Sequence, residues 1–189
     1  MLDPCPYLCP SQRGITLSET LIVIALIGIL SSLAVPEYAS QIARHRLSNA
    51  AHAFQSDQQY ARTEALKRSR NIVVSRKAGQ DGNWCYGLAL KTTKKENCDC
   101  QITDTQASNF CDIKRISGQD YLNTNLETSI SSSNTFTFTR GTTNAGGATF
   151  SVDGYAVRVV YSDVGRVRLC IPDSLPANTT GLPNTPNCS

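Results

Sequence analysis

The chain has 189 residues, 40% of them hydrophobic, and a formal net charge of +3 from 18 Lys+Arg against 15 Asp+Glu. That is enough apolar material for one domain with a modest core, and so weak a charge does not by itself imply a nucleic-acid partner. Eight cysteines against two histidines point to a disulfide framework rather than to a metal or acid–base centre.

From Ile15 to Val35 there are 21 residues with a single ionisable side chain, Glu19. At ~1.5 Å per residue this length suits a helix through a hydrocarbon core of ~30 Å. A carboxylate one turn inside such a segment is costly unless it is partnered, and nothing in the local sequence supplies a partner. The run is too long for the apolar part of a secretory signal peptide, and Pro36-Glu37 follows it where a small-residue cleavage site would stand. A plain membrane anchor explains the hydrophobicity but neither Glu19 nor a polar leader ending in glycine.

The segment Arg13-Gly14-Ile15-Thr16-Leu17-Ser18-Glu19 with its apolar run resembles the type IV prepilin class, the pilins and the pseudopilins of type II secretion. Gly28, Pro36 and Tyr38 fall where that class carries a glycine, a proline and often an aromatic. The resemblance implies cleavage between Gly14 and Ile15 by a prepilin peptidase, N-methylation of Ile15, and assembly through Glu19, Gly28 and Pro36. It also implies a single pass through a bacterial inner membrane, a periplasmic C-terminal domain, and later residence at a pilus or pseudopilus tip. In related filaments the glutamate pairs with the N-terminal amine of a neighbouring subunit. Ile15 departs from the phenylalanine usual at its position, and the leader carries two cysteines, Cys5 and Cys9.

After Pro36 a helix is expected over 37–70, because Ile42, Leu47, Ala50, Ala51, Phe54, Ala61, Ala65 and Leu66 recur at three- and four-residue intervals. Arg44, Arg46, Arg62, Lys67, Arg68 and Arg70 make its other face a solvated one. Beyond Arg70 the period drops to two. Strands are expected over 71–75 and 84–90 about an Asp81-Gly82 turn, and over 135–139. A Gly146-Gly147 loop precedes a strand over 148–152, and the last pair spans 155–161 and 166–171. Trp84 and Tyr86 read as aromatics of the β domain, and the stretch 172–189 as an irregular flap.

The fold class is therefore α+β: a long N-terminal helix, half membrane and half amphipathic, packed on an antiparallel β-sheet domain. The boundaries are a leader 1–14, a transmembrane and assembly helix 15–36, an amphipathic helix 37–70, a β domain 71–171 and a disulfide-pinned tail 172–189. Gln59-Tyr60-Ala61-Arg62-Thr63-Glu64-Ala65, Arg140-Gly141 and Gly165-Arg166-Val167-Arg168-Leu169-Cys170 resemble the signatures of the GspH/FimT/FimU group of minor pilins and pseudopilins. That narrower resemblance implies a pilin-like fold and a subunit that caps or primes a filament.

Without the leader the cysteines number six, and an oxidising compartment makes disulfides the natural reading. Cys98 and Cys100 are too close to bridge comfortably to each other. Cys85–Cys98 with Cys100–Cys111, or Cys85–Cys100 with Cys98–Cys111, remain open, and Cys170–Cys188 would pin the tail. A zinc site at the first four lacks paired C-x-x-C knuckles, so no metal is expected.

Val157, Val159 and Tyr161 share one strand parity, as do Val167, Leu169 and Ile171, which leaves Arg158, Arg166 and Arg168 on the opposite faces. Two residues along a strand span ~6.6–6.8 Å, close to the spacing of successive phosphates, and arginine forks grip phosphate. In DNA-uptake members of the group a Gly-Arg-x-Arg motif touches DNA. By that resemblance Arg166 and Arg168, backed by Arg158 and Arg140, would contact double-stranded DNA without base preference. The bland alternative is a cationic edge strand kept soluble, with Asp163 and Asp173 as local neutralisers. No enzyme activity or cofactor is expected: His45 and His52 stand two helical turns apart, and no triad, phosphate loop or carboxylate pair is present. The function expected is a minor pilin at the tip of a type IV pilus, with an H-type minor pseudopilin of a type II secretion system as the alternative.

Overall fold

A computed structural model describes residues 14–128, 132–175 and 178–188. The leader, with Cys5, Cys9 and Arg13, lies outside them apart from Gly14, and the side chain of Pro36 is likewise outside what is described. Helix α1, Leu17–Arg68, runs through Gly28 and Pro36. The chain divides after Ala39 into two compact units, Met1–Ala39 and Ser40–Ser189.

The second unit uses the C-terminal part of α1 as one wall of its core. Ala43, Leu47, Ala50, Ala51, Phe54, Ala61 and Ala65 are buried, and the alanines let the helix lie close to the sheets. Leu66, placed on this stripe by periodicity, is instead 45% exposed at the helix end, while Asp57, Gln58 and Glu64 are buried.

Among the described residues nine strands make two sheets. The first joins β1 (Ile72–Lys77), β2 (Cys85–Leu90), β3 (Lys114–Ser117) and β5 (Ser133–Phe136) in the order β3-β2-β1-β5. The second joins β4 (Asn125–Thr128), β6 (Gly146–Val152), β7 (Tyr155–Tyr161) and β8 (Val167–Cys170) in the order β4-β6-β7-β8. A bridge between Gly79 and Leu126 links them, each N–H donating to the other's carbonyl at 3.1 and 2.9 Å. Phe54 fills the space beneath, its ring 5.0 Å from that of Tyr86 and 5.6 Å from that of Phe150. Trp84 stacks on Tyr86 and Tyr121 inside the same core, so neither Trp84 nor Tyr86 is a surface platform.

Both faces of β1 are buried, which is why its sequence reads Ile72-Val73-Val74 without alternation. Ile72 and Val74 join the main core, while Val73 packs with Ala89 against the disulfides Cys85–Cys100 and Cys98–Cys111. The structure thus selects the second of the two open pairings.

Three expectations are corrected, and one stretch without an assigned element gains a strand. The strand over 135–139 ends at Phe136, because Thr137 turns to take Thr142 O through its N–H, 2.8 Å, and Phe138 is left exposed. Gly146 and Gly147 lie within β6 rather than in a loop, paired with Tyr161 and Val160. The stretch between Lys91 and Asp120 supplies β3, held by four pairs to β2. The tail is no irregular flap: β9 (Thr180–Gly181) runs parallel to β7 at Tyr155 and Ala156. Leu182 enters the core, Ile171 N–H donates to Pro186 O at 2.7 Å, and Cys170–Cys188 fastens the end.

Candidate functional site

Thr16 caps α1: its Oγ1 accepts from Glu19 N–H at 3.3 Å and its carbonyl from Thr20 N–H at 3.2 Å. Glu19 therefore occupies the third helical position, where a carboxylate faces the positive end of the helix dipole, worth ~0.3–1 kcal/mol. The Glu19 side chain is exposed and makes no ion pair with any described residue. Around it the apolar side chains point outward on every side, Ile15 being 76%, Leu17 80% and Leu30 67% exposed. A helix apolar all round needs an apolar surround that the chain itself does not supply. No single helix among the described residues is long and apolar enough to cross a membrane; Leu17–Ser32 qualifies only when counted with Glu37–Arg68. Gly14 and Gly28 have open space where a side chain would stand.

The three arginines expected on one face do share it. Cross-strand register sets Val160 opposite Arg168 and Arg158 opposite Cys170, while Ser162 N–H donates to Arg166 O at 2.9 Å. Val157, Val159, Tyr161 and Val167 fill the core on the other side. Arg158, Arg166 and Arg168 line a groove of about 590 Å³ together with Val160, Ser162 and Val164. Arg140 is not among its described lining residues. Asp163 does not neutralise the arginines as expected: its Oδ1 accepts from Ala145 N–H at 2.7 Å.

Arg140 is exposed, next in sequence to a joint that the sequence analysis missed. Gly141 and Gly165 adopt φ of 63° and 76° and close over the side chain of Arg62. A Cβ on Gly141 would come within 2.9 Å of Arg62 Nε. One on Gly165 would stand 3.0 Å from the same atom and 2.3 Å from Gly141 O. Both close approaches and the left-handed backbone require glycine. The helix signature around Arg62, Arg140-Gly141 and Gly165-Arg166 are therefore three parts of one contact. Arg62 is not on a freely solvated face; its Nε is buried without a hydrogen-bond partner among the described residues.

Two polar clusters tie α1 to the sheets. Asp57, buried on α1, accepts from Lys114 Nζ at 2.6 Å and from Tyr86 Oη at 2.9 Å. Burial, then the Asp57 charge, pushes the Tyr86 hydroxyl far above its ordinary range. Arg76 is buried and donates to Asn134 Oδ1 at 2.5 Å, and Asn134 Nδ2 donates to Gln58 Oε1 at 3.0 Å. The Arg76 guanidinium lies 5.4 Å from the centre of the Tyr161 ring and 5.8 Å from that of Phe54. Burial lowers the pKa of Arg76 and raises that of Tyr161. Nearer the surface, Arg68 hydrogen-bonded to Glu64 holds that carboxyl below its ordinary value. The bonds of Asp57 and Gln58 tie the helix to the sheets. Among the described residues no three His, Cys, Asp or Glu converge as a metal site, and His45 and His52 are exposed.

The family described as "Type II transport protein GspH" matches residues 50–165, and the "Prokaryotic N-terminal methylation motif" matches residues 9–35. A fimbrial protein of Pseudomonas aeruginosa is 30% identical over 98 residues, 51% of this chain and 62% of its own length. A type IV major fimbrial protein FimA of Dichelobacter nodosus is 51% identical over 37 residues, 20% of this chain and 24% of that one. The chain thus spans less than two thirds of the length of these relatives. The crystal structure of the type IV minor pilin FimU of Pseudomonas aeruginosa aligns with a TM-score of 0.50 and 19% identity, over 67% of this chain and 89% of that one. The minor pseudopilin EpsH of Vibrio cholerae aligns with a TM-score of 0.44 and 13% identity, over 66% of this chain and 95% of that one. At such identities the structural likeness concerns the fold alone. With the methylation motif leading into α1 and the GspH match covering most of the folded unit, the chain belongs to the GspH family, as a prepilin of the GspH/FimT/FimU kind.

Proposed function

We propose that this chain is a minor, tip-located subunit of a type IV pilus-type filament. In this reading a prepilin peptidase cuts between Gly14 and Ile15 and Ile15 is N-methylated. Residues 15–36 hold the subunit in the inner membrane before assembly, with the folded unit in the periplasm. Assembly with other pilin subunits then runs through Glu19, Gly28 and Pro36. The observation that carries it is the apolar N-terminal helix with its one unpaired carboxylate. Two charges desolvated separately are costly, and pairing Glu19 with the freed amine of a neighbour offsets both. The role is structural and involves no catalysis or cofactor.

Arg166 and Arg168 contact the phosphates of double-stranded DNA without base preference, and the half-buried Arg158 behind them backs them with its charge alone. Arg140, set apart by the Gly141 joint, adds charge only at a distance. Such binding weakens steeply with salt. A gel-shift series with Arg166→Gln and Arg168→Gln tests it, and unchanged retardation removes the DNA contact while leaving the assembly role intact.

The description of the matching family favours one second reading, the H-type minor pseudopilin of a type II secretion system. A deletion strain separates the two: loss of piliation supports the first, and loss of protein secretion with normal pili supports the second.

A further inference from the structure

The arginine groove does not stop at Arg158. A second cavity, of about 400 Å³, begins at the same side chain and continues across the outer face of the sheet between β4 and the segment after β8. Arg158 lines both cavities, which together are termed the trench. Gly147 lies against the Arg158 side chain: a Cβ there would come within 3.0 Å of Arg158 Nε, so a bare backbone leaves that side chain room. Arg158 is half-buried, and its Nε is buried without a hydrogen-bond partner among the described residues. The buried Nε is out of reach of a ligand, but the rest of the half-buried guanidinium, desolvated in part, favours a carboxylate or phosphate over water.

The walls decide which anion. Val160 and Val164 stand on the Arg166 side, Val164 being 66% exposed, and Pro172 and Leu175 on the other. A nucleic-acid backbone offers these apolar side chains nothing, and a rigid duplex that reaches the exposed Arg166 and Arg168 does not enter the trench to reach Arg158. Glu127 at the far end also opposes a polyanion laid along the whole length. An extended polypeptide that alternates acidic and apolar side chains meets the arginines and the apolar walls, and can place an apolar residue at Glu127. A second copy of this chain, with its net charge of +3, is the wrong occupant.

We infer that the trench is a docking site for an extended acidic segment of a partner protein, with Arg158 receiving a carboxylate. The inference does not depend on the DNA reading. Its test uses the whole chain in detergent micelles and a fluorescein-labelled decapeptide of alternating Asp and Val, followed by fluorescence anisotropy. Saturable binding that weakens with salt is expected, with no response to a Lys-Val decapeptide. Arg158→Gln should weaken peptide binding about tenfold, the loss of one charged hydrogen-bonded contact, while duplex retardation stays as in the parent. Glu127→Gln should tighten the peptide roughly twofold by removing a like charge, a gain that misfolding cannot produce. Absence of peptide binding, or an Arg158→Gln variant that binds it as tightly as the parent, overturns the proposal. Concentration-dependent self-association abolished by Arg158→Gln overturns it as well, in favour of a second copy.

Discussion

In the unit up to Ala39 the large apolar side chains face outward, Ile22 and Ile29 each 62% exposed, whereas in the unit from Ser40 onward Phe54, Phe136 and Phe150 are all sealed at 0%. The two regions treat their large apolar side chains in opposite ways. The folded unit contains both partners of every packing contact it needs: helix stripe, two sheets and three disulfides. The N-terminal helix leaves its apolar side chains exposed, and Glu19 has a helix cap for its N–H but no ion pair with any described residue. One region buries its large apolar side chains within its own fold; the other leaves them exposed, and in the proposed function lipid and neighbouring subunits cover them.

Variants that strike one region and spare the other put this contrast to work. The largest separation is expected from Glu19→Ala. Loss of one partner of a buried pair costs about 3–5 kcal/mol, so incorporation into sheared filaments should drop below detection by immunoblot. The thermal midpoint of the folded unit should not move. Normal incorporation would erase the distinction between the two regions. Phe54→Ala should do the reverse, costing the folded unit ~3–5 kcal/mol in denaturant unfolding while membrane insertion persists.

A smaller effect is expected where the tail is fastened. Replacing Cys170 and Cys188 together by Ala opens a loop of sequence separation 18, worth ~3 kcal/mol in the chain-entropy model. Proteolysis should then begin in the tail, because Leu182 and the Ile171–Pro186 bond lose their anchor. Smallest is Tyr86→Phe, which removes one donor from buried Asp57 and should cost ~1–2 kcal/mol. It also has a pH signature. Burial raises the pKa of Tyr86, Tyr121 and Tyr161 above the ordinary 10.0, so the fold favours their neutral form. Their contribution is complete below pH 10 and is lost as pH rises beyond it, because the unfolded chain gives up those protons first. Unfolding followed by circular dichroism should show stability falling above pH 10, less steeply in Tyr86→Phe.

Much of this was legible before any coordinates. Parity along 155–161 and 166–171 separated core residues from Arg158, Arg166 and Arg168, because a strand period of two admits little ambiguity when one face is sealed. The stripe from Leu47 to Ala65 was legible for the same reason at the helical period. What escaped was non-local or polar. The strand Lys114–Ser117, with the sequence Lys-Arg-Ile-Ser, lies on an edge and is held by pairing to β2 rather than by propensity. Gly146-Gly147 looks like a turn and is a strand because Tyr161 and Val160 pair with it. Buried Asp57, Gln58 and Arg76 have no apolar signature; each is stable in the core only because a partner distant in sequence meets it.

The sequence by itself determined an N-terminal helix built for an apolar surround, one acid placed to need a partner, and six cysteines outside the leader. Those properties are local, written in length, period and composition. Only the tertiary structure decided that Cys85 takes Cys100, that two sheets part at Gly79 and Leu126, and that Gly141 and Gly165 close on Arg62. It alone set two cavities on either side of the sheet position held by Arg158. These outcomes depend on which distant segments fit together at van der Waals distance, and no single stretch of chain carries that information.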